Sequence, residues 1–180
     1  MHTSPMITNE AAEFLGVADM SDVALLLRTT SSAGKAYGGF QWPTEPDRGV
    51  EAPDWDSTPE CGGGLHGALW GEGDGTHLAR SGNWDGLWSV VAVRASTLVD
   101  LGGKVKAPRA WVVHVGDRAS ATAYVYTWRP GAAVIGSTLT GGDGSTLTGG
   151  YGSTLTGGYG STLTGGDRST LTGGDGSAHV

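Results

Sequence analysis

Apolar residues run unbroken through Val23-Ala-Leu-Leu-Leu before Arg28. The run is too short for a helix and predicts a buried strand. Leu87–Arg94 and Ala110–Val115 repeat the pattern and predict two more. Thr97–Leu101 and Lys104–Lys106 predict weaker strands around Gly102-Gly103. Thr29–Lys35 is rich in turn residues, and Ala36–Trp42 is expected to return as a hairpin partner. Four prolines and several acids between Pro43 and Pro59 predict an extended loop. Asp117 is placed to cap a helix over Arg118–Trp128, stopped by Pro130. A short helix is expected over Asn9–Leu15, within a flexible stretch 1–22, and a last short strand over Ala132–Ile135. Several strands with one main helix predict an α+β domain, a small mixed sheet, over residues 23–135.

The pattern changes at Gly136. From there the chain reads GSTLTGGD, GSTLTGGY, GSTLTGGY, GSTLTGGD and RSTLTGGD, then GSAHV. Residues 136–176 thus form an octapeptide tract, and 177–180 a tail. A globular core gives each position a different environment, so a fixed period implies a repeating structure or a low-complexity segment. Read as a strand, STLT alternates. Leu139, Leu147, Leu155, Leu163 and Leu171 then face inward with the serines. The pairs Thr138/Thr140, Thr146/Thr148, Thr154/Thr156, Thr162/Thr164 and Thr170/Thr172 face outward. Gly-Gly with Asp or Tyr would make the corner, where positive φ is easy for Gly and tolerable for Asp. Two octads would close one flattened coil, with equivalent strands about 4.7 Å apart. Thr is stiff at χ1, so its methyl and hydroxyl would stand in fixed rows.

Composition narrows the function classes. The net charge is −7, of which the repeats supply −2 through Asp143, Asp167 and Asp175 against Arg168. An acidic chain without a basic run argues against nucleic acid as a partner. No apolar stretch approaches a membrane span. The N-terminus lacks a basic start followed by an apolar block, so the expected compartment is cytoplasmic. A single cysteine, Cys61, rules out an internal disulfide framework. Seven tryptophans could stack sugars or bases, but Trp88 and Trp111 fall on predicted strands and are expected in the core.

Chemistry in the front domain centres on Cys61-Gly62-Gly63-Gly64-Leu65-His66. The glycines let the backbone pass close to a ligand or to a neighbouring strand. Cys61 and His66 could pair as nucleophile and base. Cys61, His66, His77 and His114 could instead gather at a metal, but Cys-x4-His is no standard zinc spacing. The plainer alternative is a tight turn with a buried Cys and a hydrogen-bonded His. No nucleophile elbow, zincin or P-loop motif is present, and no cofactor or metal is expected.

GYGSTLT, with its Thr-Leu-Thr, resembles the octapeptide repeat of bacterial ice nucleation proteins. That resemblance implies a β-solenoid built from pairs of octads, with Thr-x-Thr rows that order water into an ice-like layer. The ten threonines above are the residues it would assign. It implies a non-enzymatic protein whose partner is ice or ordered water, or a second copy through the repeats. Three features depart from the family. Gly141, Gly149, Gly157 and Gly165 stand where Ala is common. Tyr151 and Tyr159 are eight apart and would lie on opposite sides of a coil. Five octads make only about two and a half coils, a stack of about 12 Å. A calcium-binding β-roll fits less well, because the period is eight rather than nine. A Gly/Ser/Thr tail without fixed structure, or a spacer, remains open on the sequence. The segments YGGFQWP, APDWDSTPECGGGLHG, VDLGGKVKAPR and VVHVGDR resemble an uncharacterised actinobacterial domain over 23–135. That likeness implies no mechanism.

Overall fold

The computed structural model describes residues 7–79 and 83–180. The front of the chain is built on a seven-stranded sheet: β1 (Val23–Thr30), β2 (Arg48–Glu51), β3 (Leu65–Leu69), β4 (Leu87–Arg94), β5 (Val99–Asp100), β6 (Val105–Ala107) and β7 (Arg109–Gly116). Their order is β2-β7-β4-β1-β3-β6-β5. Every pairing is antiparallel, so the sheet is not the mixed one predicted from sequence. β1 pairs with β4 over its full length, from Val23↔Arg94 to Thr30↔Leu87.

The long apolar run of β1 follows from burial on both faces. Leu25 and Leu27 point to one side, with Val90, Ala92, Trp88 and Trp111. Helices α1 (Asn9–Leu15), α2 (Thr76–Ala79) and α3 (Arg118–Trp128) cover that side through Ala11, Leu15, Leu78, Ala121 and Val125. Ala24 and Leu26 point the other way, with Val91, Val93, Val112 and Trp42.

Both predicted helices are present. Thr8 accepts a hydrogen bond from the Ala11 amide to start α1, and Asp117 accepts from Ser120 to start α3. Ala36–Trp42 does not pair as a strand; only an isolated bridge joins Lys35 to Gln41. The ring of Trp42 instead lies over the guanidinium of Arg28, 3.4 Å away. The proline-rich loop also carries β2, which pairs with β7. Ala132–Ile135 is not a strand of any sheet, yet its backbone is used: Ile135 donates to the carbonyl of Gly71, and Val134 accepts from Gly150.

Beyond Ile135 come β8 (Thr138–Thr140), β9 (Thr146–Gly149), β10 (Thr154–Thr156), β11 (Thr162–Gly165), β12 (Thr170–Thr172) and β13 (Ala178–His179). They fall alternately into two parallel sheets, ordered β12-β10-β8 and β13-β11-β9. The positive φ falls on the first residue of the octad, not on the Gly-Gly pair: Gly136, Gly144, Gly152 and Gly160 lie at φ 65 to 70°. In the fifth octad Arg168 holds that conformation, at φ 61°. One apolar cluster spans both sides of Gly136: Val134 and Ile135 belong to it, and Trp84 and Tyr151 pack against it. Among the described residues no helix is long and apolar enough to cross a membrane.

Candidate functional site

The threonine rows arise from register. Thr154 pairs with Thr138 on one side and Thr170 on the other, and Thr156 likewise with Thr140 and Thr172. In the second sheet Thr162 pairs with Thr146, and Thr164 with Thr148. Parallel pairing at a sixteen-residue offset puts like side chains side by side, in rows about 4.8 Å apart. Thr138, Thr140, Thr154, Thr156, Thr170 and Thr172 are all exposed. Thr146 and Thr162 are exposed too, whereas Thr148 and Thr164 are half-buried.

What holds the rows is on the inside. Leu155 and Leu163 are wholly buried, and Leu139, Leu147 and Leu171 are half-buried. Ser137 and Ser153 share a hydrogen bond of 3.0 Å between hydroxyls, and Ser145 and Ser161 one of 3.2 Å. Ser153 also donates to the carbonyl of Val134. Ser137, Ser153 and Ser161 are buried but partnered, so their hydroxyls carry no unmet desolvation cost. The corners are tied as well: the Asp143 carboxylate accepts from the Tyr159 amide at 2.8 Å. Tyr151 lies on the other side, its ring edge-on to Trp84 with centroids 6.0 Å apart. Arg168 reaches over the same ring.

A cavity of about 390 Å³ opens between residues 72–75 and the repeats. Glu72 and Asp74 line it on one side, and Thr148, Thr164 and Asp167 on the other. Glu72 is engaged there: it accepts from the Ala133 amide and faces Arg129 at 3.6 Å.

The cysteine-glycine turn is arranged differently from a nucleophile–base pair. Gly62, Gly63 and Gly64 all have positive φ, which only glycine adopts easily. Cys61 is exposed rather than buried, and its sulfur meets the Lys104 ammonium at 3.2 Å. Among the described residues no hydrogen bond joins Cys61 to His66. The His66 Nε2 is buried without a partner. Burial, then Lys104, Lys106 and Arg28, hold the imidazole down at about 4, against a smaller opposing pull from Asp54. His66 is therefore neutral near pH 7. Beneath the turn, the buried Lys106 donates to the carbonyls of Glu60 and Gly62. The glycines thus let carbonyls converge on a lysine, a use the spacing did not reveal. Arg28 is buried, and that burial pushes its guanidinium down to about 9. Two further histidines have separate partners: His77 faces Asp74 at 3.5 Å, and His114 meets the Ser120 hydroxyl at 3.1 Å. Among the described residues no three His, Cys, Asp or Glu side chains gather as a metal site would need.

The chain resembles bacterial ice nucleation proteins. It is 41% identical over 106 residues to an ice nucleation protein of Pseudomonas syringae, a match covering 58% of this chain and 8% of the relative. A Pseudomonas fluorescens ice nucleation protein is 39% identical over 107 residues, again 58% of this chain and 8% of that protein. One from Xanthomonas campestris pv. translucens is 36% identical over 114 residues, or 61% of this chain and 7% of the relative. The chain therefore spans less than a tenth of the length of these relatives. The matched 106 residues exceed the whole of 136–180, so the likeness extends to residues before Gly136. No family model matches the chain, and no solved structure matches it.

Proposed function

We propose that this is a non-enzymatic protein whose repeats form a short β-solenoid, with Thr-Leu-Thr rows that order water in an ice-like layer. The observation that carries the reading is the register. Thr154 and Thr156 stand level with Thr138 and Thr140 below and with Thr170 and Thr172 above. A rigid array of hydroxyls and methyls presents water with fixed positions, whereas a mobile tail would average them away. The relatives named ice nucleation proteins support the same reading.

Physical size sets the strength of the effect. Ten threonines in five strands offer a small template, so the chain acts on the growth of existing ice more than on its birth. The front domain, taken as a unit over 23–135, serves as the platform on which the first strands rest. The Val134 carbonyl accepts from the Gly150 amide and the Ser153 hydroxyl, and Trp84 packs on Tyr151. Without such a cap the end of a stacked structure exposes unpaired backbone and apolar surface.

The test is ice growth in the presence of the intact chain. Crystals should facet, and slowly grown ice should take up the protein. T154A/T156A should reduce both while leaving circular dichroism unchanged. If the folded native chain leaves crystal shape and freezing temperature as buffer does, the water-ordering role is wrong.

A further inference from the structure

The octads are identical in their Thr-Leu-Thr core, so the sequence makes the two repeat sheets equivalent; the fold does not. We infer that only the β8/β10/β12 face contacts the ordered water layer, and that the β9/β11/β13 face is excluded from it by the front domain and by its own third strand. This rests on the water-ordering reading above and specifies its surface.

Three observations separate the faces. On the β8/β10/β12 side all six threonines are exposed. On the opposite side Thr148 and Thr164 are half-buried and line the cavity beside Glu72 and Asp74. A carboxylate at the margin of a template binds water in its own geometry and competes with a lattice. Third, β13 replaces a third threonine pair: Ala178 stands level with Thr162, and the Val180 amide donates to Leu163 at 2.8 Å. That face therefore carries two rows of two threonines, Thr146/Thr162 exposed and Thr148/Thr164 half-covered.

The same comparison argues which occupant suits the open face. Its six outward side chains are uncharged, so it offers nothing to an ionic partner. The rows span about 10 Å across three strands, and the two threonines of one strand are about 6.7 Å apart. That patch is far below the roughly 800 Å² per partner of a stable protein interface. Neutral hydroxyls and methyls in a regular grid suit a water lattice better than a second protein.

The experiment compares two double variants of the full chain by the fraction of protein taken up into slowly grown ice. T154K/T156K places ammonium groups on the open face. T146K/T162K places the same two groups at the exposed positions of the opposite face. All four sites are exposed, so both variants should fold, and circular dichroism verifies that. The expected result is a roughly tenfold fall in uptake for T154K/T156K, ~1.4 kcal/mol of adsorption free energy, with T146K/T162K near native. Equal losses in the two variants, or a larger loss in T146K/T162K, would overturn the assignment. So would sedimentation showing a dimer that T154K/T156K dissolves, because the open face would then belong to a second copy. Absence of native uptake is a different failure: it removes the water-ordering role itself, and the face assignment with it.

Discussion

Leu155→Ala tests whether the threonine rows stand on a packed interior. Leu155 lies in the middle strand of its sheet, between β8 and β12, and none of it is exposed. Truncation to Ala removes three carbons from a dry site. At about 0.8 kcal/mol per buried carbon the transfer term is about 2.4 kcal/mol. Leu139 and Leu171 above and below are only half-buried and can settle inward, so the cavity term stays small. The total is about 3 kcal/mol, near the low end of measured Leu→Ala costs. The Thr154 and Gly157 amides report it, because they donate to the carbonyls of Ser137 and Thr172, each at 2.8 Å. Both should exchange with deuterium about a hundredfold faster in L155A. Leu171→Ala, at a half-buried flank, should cost about half as much. The packing argument is refuted if L155A leaves both amides as protected as in the native chain, or if L171A costs as much as L155A.

Acid should weaken the seven-stranded sheet, where His66 sits on β3, before it protonates the carboxylates. The unfolded His66 takes a proton near 6.5 and the folded one only near 4, so stability falls as pH drops through that window and is level above it. Urea midpoints measured across the window should show the slope, and His66→Gln should flatten it; burial lowers His114 too, so some slope should persist. Arg168→Gly removes a side chain from a left-handed backbone position, worth about 1 kcal/mol, and loses a cation–π contact with Tyr151 worth about 0.5 kcal/mol. The net gain of about 0.5 kcal/mol should appear as a small rise in melting temperature, and a fall would mean that the Tyr151 contact outweighs the strain.

The strands with continuous or β-branched apolar runs were legible in the sequence because burial on both faces leaves an unmistakable mark, as in Leu25-Leu26-Leu27. Helix α3 was legible through its Asp117 cap and Pro130 stop. Ala36–Trp42 reads as a strand in sequence but does not form one, because its aromatics serve another purpose: Trp42 covers a buried cation rather than extending a sheet. β2 is not legible in the sequence, because a short edge strand such as Arg48–Glu51 has mostly exposed side chains and no apolar signature. In the repeats, alternation alone divides Ser and Leu from Thr. The inequality of the two faces depends on where residues 72–75 pass, and no local pattern carries that information.

Alternation between the two sheets also imposes a parity rule on any change in tract length. An insertion of eight residues would send every downstream strand to the opposite side, exchanging the environments that Tyr151 and Tyr159 now occupy. Sixteen residues would add a full turn and leave every later side chain facing as before. Gain or loss of octads should therefore be tolerated in even steps, with odd steps scrambling everything distal to them.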